Sequence, residues 1–313
     1  MYCIGFDIGG TKCAVSLGKI DGEQVEILQR IEYPTEYSPE ATLQKFAPFI
    51  DKITSEFQIT KAGISCGGPL DSKKGVITAT PNLPGWHGFE IVNYIKERFG
   101  LNAKLENDAN ACAIAEWRFG AGKGTRNMIF MTFGTGLGAG LILDGKLYSG
   151  TNGNAGEAGH IRLAERGPFG FRKHGSFEGF CSGAGIAKLA KIMANRRKTM
   201  PKCIEQMGGF EQVTTKKLAE SAFNGDAFAK KVFEKSGEML GRGLSVLVDI
   251  LNPEKIVLGG VFMRSSALLL PSMNRALKAE ALEESLAVCE IVEAGLKENI
   301  GDYAALTLAV TEI

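Results

Sequence analysis

Twice in this chain an apolar strand runs into a glycine-rich turn and straight out again as a second strand. The first instance is YCIGFDI followed by GGTKCAVSLG near the N-terminus, and the second is NMIFMTFGTGLGAGLILDGKL over 127–147. Each opens an alternation of strand-like and helix-like segments, so the chain reads as a duplicated α/β architecture of two lobes around a central cleft. A length of 313 residues agrees, because it exceeds what one compact core commonly holds. The division implied is an N-terminal lobe over 1–118, a larger C-terminal lobe over 119–298, and a last helix over 299–313 packing back on the first lobe.

Hydrophobic spacing supplies the other elements. Leu43, Phe46, Ile50 and Ile53 recur at helical intervals, and Phe89, Ile91, Val92, Ile95 and Phe99 make one face of a helix that Gly100 is suited to end. Phe228, Val232, Leu240, Leu244, Leu247 and Leu251 share a face across 226–252, where Gly237, Gly241 and Gly243 weaken the helix intrinsically but permit close packing. KAGISC (61–66) and EKIVLGG (254–260) read as buried strands.

Composition narrows the function. A net charge of +1 offers no general field for nucleic acid or an anionic membrane, so an anionic ligand needs local binding devices. The seven cysteines are odd in number and form no CxxC pair, which points to reduced thiols and a cytoplasmic location. No stretch is apolar for long enough to span a bilayer. MYCIGFDIGG enters a strand at once, leaving no leader and no room for a helix-turn-helix ahead of it.

Four constellations carry chemistry. In Asp7-Ile8-Gly9-Gly10-Thr11-Lys12 the glycines free backbone N–H groups to face phosphate oxygens, Thr11 adds a hydroxyl, and Asp7 is suited to hold Mg²⁺ through water. A plain hairpin needs the glycines but neither the Asp nor the Thr, and the pattern is not GxGxxG or GxxxxGK[ST]. Gly134-Thr135-Gly136 reads as a second phosphate turn or, taken alone, equally as a second hairpin, and Gly259-Gly260 as a place where an adenine ring approaches the backbone. In Glu106-Asn107-Asp108-Ala109-Asn110 a helix N-cap is the simple reading, and a base at Asp108 beside a sugar-binding Asn107 is compatible with it. A helix N-terminus favours an ionised, weakly basic Asp108, which phosphoryl transfer tolerates. Finally, Glu157 and His160 lie in a glycine-rich loop with Glu178 further on, a set of directional partners for sugar hydroxyls; a structural histidine is the plainer alternative for His160.

DIGGTKCAVSL, LENDANACAIAEW, FGTGLGAGLILDGKL, GNAGEAGHIRL and FEGFCSG together resemble, in order and spacing, the ROK family of repressors, open reading frames and sugar kinases, over nearly the whole chain. The resemblance implies the actin-like ATPase (ribonuclease H-like) fold and transfer of the ATP γ-phosphate to a hexose, usually at the 6-hydroxyl. It implies Asp108 as catalytic base, Gly68, Thr80, Asn82, Asn107, Glu157, His160 and Glu178 around the sugar, and Gly9, Gly10, Thr11, Gly134, Thr135 and Gly136 around phosphate. ATP and Mg²⁺ follow as cofactor and metal, with a homodimer by analogy. Glucose is the leading sugar, since glucokinase-like members share the PNLPGW and ENDANA wording; N-acetylmannosamine, allose, fructose and a non-catalytic sugar sensor are the alternatives. The chain departs from the family where most members carry a zinc motif, CxCGxxGCxE. Phe169, Phe171 and Ser176 stand where its cysteines belong, so no zinc is expected, and the role of His160, which zinc normally orients, rests on less.

Overall fold

The structure, a computed structural model, describes residues 1–170 and 172–311. Their contacts group into two units: Met1–Arg126, Gly140–Ala155 and the stretch from Gly295 onward, and Asn127–Ala139 with Gly156–Ala294. The sequence reading divides the chain at 118/119 and returns 299–313 to the first lobe; by contact the first unit runs through Arg126, also takes in 140–155 and resumes at Gly295.

In the first unit, β1 (Tyr2–Ile8), β2 (Lys12–Asp21) and β3 (Gln24–Pro34) form an antiparallel meander. Helix α1 (Pro39–Glu56) leads to β4 (Lys61–Cys66), which pairs in parallel with β1. A small hairpin of β5 (Leu70–Asp71) and β6 (Val76–Ile77) follows, then α2 (Ile91–Phe99) and β7 (Asn102–Asn107), which pairs in parallel with β4. The five-stranded order is β3-β2-β1-β4-β7. Gly100 ends α2 with φ 69°, the left-handed cap that its position in the sequence suggests. Helix α3 (Asp108–Phe119) starts directly from the end of β7.

Strand alternation gives this sheet two faces. Ile4, Phe6 and Ile8 of β1, with Cys13, Val15 and Leu17 of β2, join Leu43, Phe46, Ile50, Ile91 and Ile95 of α1 and α2 in one core. The other face shows Gly5, Gly18 and Gly63. A Cβ on Gly63 would collide with the Ala305 carbonyl and lie 2.7 Å from both the Ala309 nitrogen and Leu308 Cβ, and one on Gly18 would lie 2.6 Å from Leu306 Cδ1. The residues past Gly295 supply what fills that floor, a terminal helix that packs on β1, β4 and α3. Leu306 and Leu308 of that helix are fully buried, each such burial contributing about 1.5–3 kcal/mol. Glu116, also fully buried, joins the points where the chain leaves and re-enters the unit. Its Oε2 accepts the N–H of Ala121 (2.7 Å) and Gly295 (3.0 Å), and its Oε1 that of Leu296 (2.8 Å). Three such donors offset the cost of burying a carboxylate.

The second half repeats the topology. Here β8 (Met128–Phe133), β9 (Leu137–Leu143) and β10 (Lys146–Leu147) are followed by a two-residue hairpin, β11 (Phe169–Gly170) and β12 (Lys173–His174). Then come α4 (Phe177–Cys181), α5 (Gly183–Asn195), α6 (Lys202–Gln206), α7 (Thr215–Phe223), α8 (Ala227–Leu251), β13 (Lys255–Leu258), α9 (Val261–Glu280), α10 (Glu283–Ala287), β14 (Glu290–Glu293) and α11 (Ile300–Val310), the terminal helix of the first unit. The sheet order is β10-β9-β8-β13-β14, with β8, β13 and β14 parallel, so strand for strand it matches the first. Gly237 and Gly241 let α9 approach α8 closely, the use expected of them. No helix among the described residues is long and apolar enough to cross a membrane, and none of the seven cysteines is bonded to another.

Gly63→Ala is expected to lower stability by about 1–3 kcal/mol, since α11 must shift to admit the methyl group. Thermal melts against an exposed control on the same strand, Lys61→Ala, check this; equal melting temperatures would show that α11 is not seated on Gly63.

Candidate active site

The first unit gathers ten of the residues singled out above. The turn between β1 and β2 is exposed and closed by one internal bond, Gly9 N–H to the Lys12 carbonyl at 3.1 Å. Gly10 is required for contact rather than for an unusual φ: a Cβ there would lie 2.5 Å from Asn82 Cβ and 2.7 Å from the Asn82 carbonyl. Lys12, at the end of the turn, is exposed and pairs with Glu32 of β3 at 2.8 Å. Alternation along β1 turns Asp7 to the α11 face, where Gly301 leaves it room; a Cβ on Gly301 would lie 2.5 Å from Asp7 Oδ2. Asp302 follows, buried, accepting Ser16 Oγ at 2.5 Å and Arg30 Nε at 2.8 Å. Burial and the charges of Asp302 and Asp108 push the Asp7 carboxyl up to about 6, against the pull of Arg30 and Lys12.

At the same carboxyl end of the parallel strands, on the edge strand β7, Asn107 is the N-cap of α3, its Oδ1 accepting Ala109 N–H (3.0 Å) and Asn110 N–H (3.4 Å). Its Nδ2 lies 3.1 Å from where a Gly68 Cβ would be. Asp108 is the first helical residue, and its Oδ1 accepts Ala109 N–H at 2.8 Å. The side chain reaches solvent, yet desolvation by the protein around it raises its carboxyl, with the Ala109 N–H opposing. Local sequence logic, which sees only the helix N-terminus, has the opposite sign; tertiary surroundings win and leave a better base. Thr80 is buried and its hydroxyl donates to Gly67 (2.9 Å) and Pro69 (3.2 Å) carbonyls, so it braces the loop that carries Gly68. Glu106, Asp302 and Arg30 are neighbours that the sequence reading does not single out. Glu106 Oε1 holds Asn107 N–H (2.8 Å) and Asn110 Nδ2 (3.0 Å) behind the start of α3.

The second unit gathers the other eight. Gly134 N–H bonds the Gly136 carbonyl at 3.0 Å, the Gly134 carbonyl accepts Gly183 N–H at 2.8 Å, and Gly134 and Thr135 are exposed. Glu178, near the start of α4, accepts Leu137 N–H at 3.0 Å, and a Cβ on Gly136 would lie 2.7 Å from its Oε2. Burial raises the Glu178 carboxyl while the Leu137 N–H draws it down. His160 Nε2 lies 3.7 Å from Glu157. Gly259 follows β13, and Gly260, at φ 67°, caps α9 against the Phe133 carbonyl, beside the turn. In the loop ahead of α4, Ser176 is the buried N-cap and His174 packs edge-on to Phe169 at 5.2 Å; Phe171 lies outside the described residues.

Among the described residues no three His, Cys, Asp or Glu side chains are grouped to hold a metal directly. Asp7 fits Mg²⁺ on its own chemistry. It is a hard oxygen donor crowded by like charge that a cation relieves, and Mg²⁺ is commonly held by one or two carboxylates with water and phosphate oxygens.

The ROK family profile matches residues 3–312. The chain is 31% identical over 310 residues to a glucokinase of Streptomyces coelicolor, covering 98% of this chain and 96% of the relative. It is 28% identical to a glucokinase of Thermotoga maritima, covering 97% and 96%. Among solved structures, a ROK family glucokinase from Streptomyces griseus in complex with glucose and AMPPNP superposes with a TM-score of 0.80 at 30% identity, over 99% of each chain.

Asp7 sets a pH dependence of the metal-free protein. Its folded carboxyl titrates near 6 and its ordinary value is 3.8, so between those values the native state binds the extra proton. The contribution of this group to stability is therefore fullest below about pH 4 and is lost as pH rises through 6. Asp7→Asn removes that loss and is expected to raise stability at pH 7.5 by about 1–3 kcal/mol, with no gain at pH 4. Melts in EDTA across this range check it; a gain independent of pH would mean that Asp7 is not the titrating group.

Proposed function

This chain belongs to the ROK family, and we propose on that premise that it is an ATP-dependent hexose kinase, transferring the γ-phosphoryl group of ATP to a sugar, glucose at its 6-hydroxyl. The observation that carries the reading is the start of α3: one asparagine caps the helix while the adjacent aspartate, raised by its surroundings, is left to face solvent beside Gly67. Glucokinase relatives spanning nearly the whole chain support the sugar class.

In this reading Asp108 accepts the proton of the attacking hydroxyl, its elevated carboxyl making it a stronger base than a free aspartate. Asn107 spends its Oδ1 on the helix and offers Nδ2 to a neighbouring hydroxyl. Asn82 and, in the second unit, Glu157, His160 and Glu178 supply further sugar partners. The amides of the Gly9–Thr11 and Gly134–Gly136 turns bind phosphate oxygens, and Gly259 and Gly260 take the adenine side. Mg²⁺, held by Asp7 through water, supplies charge neutralisation at the phosphates. The loop before α4 closes by Phe169–His174 packing in place of zinc; one zinc per chain by elemental analysis overturns that part. A cytoplasmic location, a homodimer, and no nucleic-acid or membrane partner complete the proposal.

Mixing protein, Mg-ATP and a panel of glucose, N-acetylmannosamine, allose and fructose while following ADP release tests the class and the sugar together. Sugar-dependent turnover, fastest with glucose, is expected; binding without turnover indicates a sensor, and turnover without sugar an ATPase. Asp108→Asn is expected to lower kcat by about 10²–10⁴ while glucose still binds. Near-normal turnover would remove Asp108 from the role of base.

A further inference from the structure

The Gly9–Lys12 turn is exposed, rich in glycine and closed by one internal hydrogen bond, so its shape must be imposed from outside. The residue that meets it is Thr35, where the chain leaves β3. We infer that Thr35 is a positioning residue that holds this turn in the shape that receives phosphate, an inference that rests on the kinase reading above.

Thr35 grips both sides of the turn. Its backbone N–H donates to the Thr11 carbonyl at 3.0 Å, and its hydroxyl donates to the Gly9 carbonyl at 2.6 Å. In a planar trans peptide the C=O and the following N–H point in opposite directions. Drawing the Gly9 carbonyl toward Thr35 therefore aims the Gly10 N–H away from it, on the exposed side of the turn. Without that pull a glycine-glycine peptide can flip at little cost, and the donor is lost to a ligand approaching from solvent.

The grip is itself secured. Pro34 has no N–H to continue the ladder, which an edge strand tolerates, and the strand ends there. Cys13 Sγ lies 3.2 Å from Thr35 Oγ1 and 3.8 Å from the Gly9 carbonyl; burial pushes its thiol up to about 11, so it keeps its proton and joins the hydroxyl and the carbonyl in one hydrogen-bonded group. Hydrogen bonds in such a group reinforce one another. The next residue is anchored twice, Glu36 N–H to Thr42 Oγ1 at 3.0 Å and the Glu36 carbonyl to the buried Trp86 Nε1 at 3.1 Å. Trp86 belongs to the loop that carries Asn82, which abuts Gly10, so the turn is braced from both flanks by one connected segment.

The test is calorimetric titration of Mg–AMP-PNP into sugar-free protein. Thr35→Val, similar in size but without the hydroxyl, is expected to bind about three- to tenfold more weakly, the range of one net hydrogen bond. Thr35→Ser should restore binding, and in turnover the loss should fall on KM for ATP and not on KM for sugar. Amide exchange should rise over 9–12 alone. If Thr35→Val fails to fold, Thr35→Ala compared with Thr35→Ser makes the same comparison. Undiminished nucleotide binding by the hydroxyl-free variant overturns this inference and leaves the kinase reading standing. A wild-type chain that binds no nucleotide overturns the kinase reading and this inference with it.

Discussion

The missing side chain of a glycine is what lets each turn carry a polar neighbour against its back. In the first unit Asn82 sits where a Gly10 Cβ would be, and in the second the Glu178 carboxylate sits close to where a Gly136 Cβ would be while accepting the Leu137 N–H. The turns are thus shaped by side chains and not by φ, since neither glycine adopts a left-handed conformation. Each buttress is also a side chain assigned to the sugar. Under the proposed function, within each unit the groups that meet the two substrates share atoms in van der Waals or hydrogen-bond contact, and whatever moves one disturbs the other.

The motifs were legible because their geometry is local. Gly100 ends α2, Asn107 caps α3, and the strand–turn–strand repeat places Asp7 and both glycine turns at matching ends of sheets with matching strand order. Periodicity was enough to mark α1, α2 and α8, because each turns an apolar face to a core. Strand order itself follows from pairing between residues far apart, and the pattern of hydrophobic residues contains only a hint of it.

What escaped the sequence is what distant segments do to a local group. Asp108 reads as a weak base from its helix position, yet enclosure reverses the sign. Asp302, Arg30 and Ser16 converge behind Asp7 from α11, β3 and β2, and no spacing rule links positions nearly three hundred residues apart. Thr35 looks like an ordinary residue after a proline until the turn it touches is seen. The loop ahead of α4 shows the same limit in reverse. Absence of cysteines is visible in the sequence, while the Phe169–His174 packing and the Ser176 cap that order the loop are tertiary facts.

The docking of α11 also orders events during synthesis. Gly5, Gly18 and Gly63 are made early and form a floor with no side chains of its own, and its cover, α11, is translated long after them. One face of the N-terminal sheet therefore stays open to water while more than half of the chain is still to be made, and its β-meander can be only partly stable in that interval. A ribosome that stalls or terminates before residue 300 leaves that bare face exposed, so products truncated ahead of α11 are natural clients for chaperones and proteases.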